Sequence, residues 1–266
     1  MSALLMVAAM AVYTGVQVGF HELSRHRVIL VAILFVVGIG LLPWVSDNLA
    51  DDWFRWLKTL SVLIPILLLN SARIAQRYPR RSTEFLTKKW VMWVAYAVIM
   101  LNIFEAVVKD GLHGSLANAL VGVALMVTLP IRPKRWRIER EAPNDFVFAI
   151  PTWWIVLYTA WNICFVYTIL PQYTAHIACI LMVPLFYAVV LKRPDLWYSA
   201  RAYTLGLSLL IRASSDPVTQ LMDTSSWANG SVAQGFGIAN LVLAVGLIVR
   251  ARWVSQSPSV PASPAS

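Results

Sequence analysis

Apolar residues run through this chain in long blocks broken by short polar connections. Nine blocks stand out, at about 3–20, 27–46, 53–72, 90–108, 114–131, 147–169, 172–191, 196–213 and 231–249. A helix needs about 20 mostly apolar residues to cross a bilayer, and lipid leaves backbone polar groups no partner but one another. The fifth and eighth blocks are the shortest or most interrupted. None is striped at the 3.6-residue period of an amphipathic surface helix; each is apolar all round with isolated polar exceptions. The pattern predicts an all-α fold, a polytopic bundle of about nine transmembrane helices. Residues 1–253 form one domain, and the Pro/Ser/Ala-rich stretch 254–266 is expected to be a disordered cytoplasmic tail.

Composition agrees. Of 266 residues, 59% are hydrophobic and 13% charged, half the charged share of an ordinary soluble domain (about 25%). That excludes a cytosolic globule and a disordered protein alike. Two cysteines rule out a disulfide scaffold, and four histidines argue against a multi-histidine metal cluster. No cofactor is implied.

Charge orients the bundle. With the N-terminus outside, 18 of the 22 Lys and Arg fall in cytoplasmic segments, the outer ones keeping Arg55, Lys58, Lys109 and Arg212. Seven of the 13 acids lie outside. This bias predicts N-terminus out and C-terminus in, within a bacterial cytoplasmic membrane. The net charge of +9 then reflects orientation signals touching anionic lipid, not a nucleic-acid surface. The first block lacks a basic leader and a small-residue cleavage site, so it is expected to be retained.

Spans four to nine also read as three hairpins at a period of about 60 residues. Leu116-Ala-Asn-Ala-Leu-Val resembles Ile238-Ala-Asn-Leu-Val-Leu, and Asn102-Ile-Phe resembles Asn162-Ile-Cys. Chance alignment of apolar residues accounts for this equally well.

Polar residues inside lipid mark where chemistry could sit. Asn102, Glu105 and Lys109 share one helical face of span four. Glu105 and Lys109 could be a snorkelling i,i+4 pair, or Glu105 could face a pocket as proton carrier or general acid, steadied by Asn102. Asn118, Asn162 and His176 are expected at the same outer depth, with Tyr173, Arg212 and Asp216 just beyond. Each has a plainer role, since Asn binds helices together and a bundle His is usually satisfied structurally. Together they predict an outward-facing pocket. Trp153, Trp154 and Trp161 could wall an apolar cleft, or simply pack. On the inner side, Glu22 could pair with Arg73 or Arg201 as a gate. Metalloprotease, Walker A, nucleophile-elbow and dinucleotide motifs are absent.

Three stretches, Trp53-Phe-Arg-Trp-Leu-Lys-Thr-Leu-Ser-Val62, Asn102-Ile-Phe-Glu-Ala-Val-Val-Lys-Asp110 and Trp161-Asn-Ile-Cys-Phe-Val-Tyr167, resemble an uncharacterised family of bacterial multi-pass membrane proteins. The resemblance implies no activity. The Asn-x-x-Glu element is also faintly similar to the acid-bearing helix of integral-membrane terpene cyclases, which implies an acid acting on a polyprenyl substrate.

Three functions stay open. The pocket could bind or transport a small polar or cationic solute, with Glu105 carrying charge and Asn102, Asn118, Asn162, Trp161, Tyr173, Arg212 and His176 around it. It could be an intramembrane acid–base site acting on a lipid or isoprenoid. The polar residues could also be the glue of a structural subunit. Membrane lipids are the expected partners, and a homo-oligomer is compatible with each reading.

Overall fold

The computed structural model describes residues 3–45, 53–130, 136–214 and 220–256. Among these residues there are nine α-helices: α1 (Ala3–His26), α2 (Val28–Val45), α3 (Trp53–Arg77), α4 (Trp90–Leu112), α5 (Leu116–Thr128), α6 (Thr152–Ile169), α7 (Thr174–Val189), α8 (Trp197–Ser214) and α9 (Gly230–Gln256). Each coincides with one apolar block. Six contain segments long and apolar enough to cross a membrane, in α1, α3, α4, α6, α7 and α9, while Val28–Leu41 and Leu116–Thr128 are shorter apolar segments. Leu4, Val12, Leu101, Leu120, Val127 and Val242 all lie exposed on the bundle's outside. An apolar exterior of this extent suits acyl chains rather than water.

Local chemistry sets the helix ends. Gly114, at φ +76°, takes the left-handed conformation that lets α4 stop and α5 start with three residues between them. Asn229 caps α9, its Oδ1 accepting from the Ser231 and Val232 amides at 3.0 and 3.1 Å. That contact explains an Asn-Gly-Ser sequence that would otherwise read as a glycosylation acceptor. The predicted tail from 254 is helical as far as Gln256; residues 257–266 lie outside the described residues.

One element departs from the all-α expectation. Block six was expected to be helical from 147, but Phe146–Phe148 forms a strand pairing antiparallel with Trp136–Ile138, and α6 begins at Thr152. The hairpin is held by side chains. Tyr96, Trp136, Phe148 and Tyr198 stack with successive centroid distances of 5.2, 4.0 and 4.9 Å, wedging it between α4 and α8. Each such pair contributes about 0.5–1.5 kcal/mol beyond burial.

A buried arginine locks the same end. Arg73, 1% exposed, donates to the backbone oxygens of Ser24, Arg25, Pro143 and Asn144 and to the Tyr203 hydroxyl. Its guanidinium lies 3.8 Å from Asp145, which Arg25 also grips at 2.8–3.1 Å. Glu22 therefore does not pair with Arg73 or Arg201 as expected; it bonds Arg25, at 3.1 Å, and Tyr187. The sequence placed no partner for Arg73 in the basic loop, yet Asp145 supplies one. This "hairpin end" gathers the C-termini of α1 and α3 and the N-termini of α4, α6 and α8.

The first helix buries an unusual face. Its buried residues are Tyr13, Gln17, His21 and Ser24, all polar-tipped and one turn apart. They meet α7 and α8: Tyr13 with His176 at 2.7 Å, His21 with Ser199 at 3.4 Å. Leu4, Leu5, Val7, Val12 and Val16 of α1 face outward, while Met10, Val18, Phe20 and Leu23 pack part-buried beside the polar face.

Candidate functional site

A cavity of about 390 Å³ lies between α3, α4, α6, α7 and α8, within the range of small-molecule sites. Asn102, Glu105, Trp161, Asn162, Tyr173 and Arg212 all line it. These are six of the eight residues the sequence singled out, drawn from α4, α6, the α6–α7 turn and α8. Apart from Thr59 and Arg201, the rest of the wall is aliphatic and aromatic, with Val62, Pro65, Ile66 and Leu69 from α3 and Leu205 and Leu209 from α8. Pro65 has no N–H for the Ser61 carbonyl, so α3 loses a bond where it borders the space.

Burial falls along the cavity. Trp197, Tyr198 and Leu69 close the part nearest the hairpin end and are buried, as are Ile99 and Trp161 further along. Leu170, in the α6–α7 turn, is exposed at the opposite end, and Asn102 is exposed midway along α4. The space therefore reaches the surface away from the hairpin, beside the outer half of α4 and at the α6–α7 turn.

At that mouth Lys109 donates from Nζ to Glu105 Oε1 at 2.6 Å, as the i,i+4 spacing allows. The side chains are 39% and 42% exposed, so the pair contributes about 1 kcal/mol at most. Arg212 lays its guanidinium over the Tyr173 ring, 4.0 Å from the centroid. A face of this kind attracts a cation and fixes its plane. Asn162 donates to the Tyr158 hydroxyl at 3.3 Å, which turns the amide along its own helix.

Asn118 and His176 do not line this cavity. Asn118 is buried in a polar cluster behind its wall: its amide donates to Asp110 Oδ2 at 2.7 Å, and its Oδ1 accepts from Asn240 at 3.3 Å. Its backbone carbonyl accepts the Trp161 indole N–H at 3.0 Å, so the segment steadies a cavity residue from outside. Asp110, which the sequence reading gave no role, is the fully buried last-turn residue of α4. The Ala-Asn likeness of the fifth and ninth blocks has a physical counterpart, since Asn118 and Asn240 bond each other where α5 crosses α9. Gly122 allows α5 to lie close: a Cβ there would stand 2.3 Å from Val107 and 3.0 Å from the Trp161 indole nitrogen.

His176 sits on the other side of α7, its Nε2 near the Tyr13 hydroxyl at 2.7 Å and the Ser208 hydroxyl at 3.4 Å. It joins α1, α7 and α8. Trp154 is likewise a structural residue, donating to the Leu125 carbonyl at 3.1 Å. Asp216 lies outside the described residues.

Arg201 is the cavity residue the sequence misassigned. One turn after Trp197 it resembles an interface anchor, but it lines the buried half of the space. Its signal was periodic: 201, 205, 209 and 212 share one face of α8. Among the described residues no group of three or more metal-ligating side chains occurs. The chain matches no protein-family model, no curated protein and no solved structure.

Proposed function

We propose that this is an integral membrane protein of nine spans whose cavity binds a small molecule with an apolar body. The observation carrying this reading is the convergence of five structural elements on one space walled mainly by hydrocarbon and rimmed by polar groups at its open end. The positive-inside rule puts the hairpin end, with Arg25, Arg73 and Arg137, in the cytoplasm and the mouth outside.

A hydrated cation fits less well than an apolar body. Glu105 already carries Lys109, and the two other charged residues lining the space are arginines. A transport path would need polar groups from the cavity to the hairpin end. Asn70 and Arg73, the nearest candidates, are tied into the Tyr203 cluster and are not cavity residues. An acid role for Glu105 would first require it to give up the Lys109 bond. Binding, in a space closed at one end, is the function the geometry favours.

The test is photolabelling. Protein in phosphatidylcholine nanodiscs is irradiated with a diazirine-bearing dodecanol, and adducts are mapped by mass spectrometry. Adducts are expected at Ile99, Phe165 and Leu205, and filling the space by Leu205→Trp should remove them. Labelling confined to outward residues such as Leu101 and Phe104, or unaffected by Leu205→Trp, would refute the reading.

A further inference from the structure

We infer that the cavity selects an anionic amphiphile, a carboxylate or phosphate monoester on an apolar tail, with Arg201 receiving the acid group. This rests on the reading of the cavity as a binding site and adds the ligand's charge.

The residues Arg201, Leu205, Leu209 and Arg212 give α8 a stripe with a guanidinium at each end and hydrocarbon between. Eleven residues at 1.5 Å each separate the two by about 16 Å along the axis. Arg212 is occupied by the Tyr173 face. Arg201 is different. Its Nε and Nη1 are buried and donate to nothing. Its surroundings in the cavity include Trp197, Tyr198 and Ala202.

No carboxylate among the described residues pairs with Arg201. Glu105, the acid among the cavity residues, bonds Lys109 and sits at the mouth. Asp145 is held by Arg25 and Arg73, and Glu22 by Arg25 and Tyr187. A half-buried guanidinium with two buried donors left open is costly unless an anion reaches them. Its planar fork matches the oxygens of a carboxylate or phosphate. The cavity lets such an anion arrive, and its remaining length accepts the tail along Leu205, Leu209, Val62 and Phe165.

The experiment is competition against the diazirine-dodecanol in zwitterionic nanodiscs, using dodecyl phosphate, dodecanol and dodecyltrimethylammonium. Dodecyl phosphate should displace the probe at least tenfold more strongly than the other two. Arg201→Gln should reduce that preference to near unity, whereas Arg201→Lys, which keeps the charge, should retain part of it. Equal competition by all three in the unaltered protein overturns the anion claim while leaving the cavity reading intact. A preference that survives Arg201→Gln overturns the role of Arg201. If no compound competes and the probe labels only outward residues, the cavity reading itself falls. Should Arg201→Gln not fold, the Arg201→Lys protein decides, since loss of all preference there would contradict a charge-based site.

Discussion

Replacing Arg73 by Met tests whether the hairpin end is held by one side chain. The substitution removes the bonds to the Ser24, Arg25, Pro143 and Asn144 carbonyls and to the Tyr203 hydroxyl. Asp145 keeps its bidentate bond to Arg25, so no carboxylate is left alone. The expected loss is therefore about 3–5 kcal/mol, the range for breaking a buried polar cluster. At roughly 2–4 °C per kcal/mol for a domain of this size, Tm should fall by about 6–20 °C. The protein carries its own reporter. Its two cysteines, Cys164 and Cys179, are both buried, so a thiol-reactive fluorophore in detergent signals only once the helices part. Arg77→Met, at an exposed position of the same helix, should change Tm by about 2 °C or less. An Arg73→Met protein melting with the Arg77→Met control would refute the lock.

Three other outcomes follow from the same geometry. Gly122→Ala should cost about 1–3 kcal/mol by overpacking, and Val107→Ala in the same chain should recover most of it, because Val107 is the nearest obstacle; thiol-accessibility melting measures both. Asn118→Leu and Asn240→Leu should be non-additive by about 0.5 kcal/mol or more in a double-mutant cycle, since the two amides bond each other, and additivity would deny the α5–α9 bond. Glu105→Gln should leave stability within about 1 kcal/mol, as its pair with Lys109 is half exposed; a larger loss in the same assay would make the pair structural.

Much of the helical framework was legible because lipid-scale apolar blocks have few other solutions. Even the weak fifth block, with 13 helical residues, forms α5. The β-hairpin was not legible. Phe146, Val147 and Phe148 continue an apolar run into α6, and three residues are too few for a period of two to declare itself. Around the cavity, Asn102, Glu105, Asn162 and Tyr173 stood out because a polar residue within an apolar block is conspicuous. Depth, however, does not specify azimuth. Asn118 and His176 share the expected depth but point to α9 and α1, and only three-dimensional packing decides that. Arg201 and Asp145 were obscured for the opposite reason. They sit near span ends, where charge is ordinary and burial leaves no mark in the sequence.

The polar inward face of α1 bears on how the molecule is made. Its partners on α7 and α8 lie far along the chain; His176 follows Tyr13 by 163 residues. At about 5–20 residues per second of synthesis, roughly 8–30 seconds pass between the emergence of the two. During that interval Tyr13, Gln17 and His21 must remain in the translocation machinery, in water, or against a temporary protein companion. The polar face of α1 thus waits for α7 and α8 before it finds a permanent seat, and in a ribosome-stalled chain ending before α7 a Gln17→Cys thiol should react with a maleimide that the assembled bundle excludes.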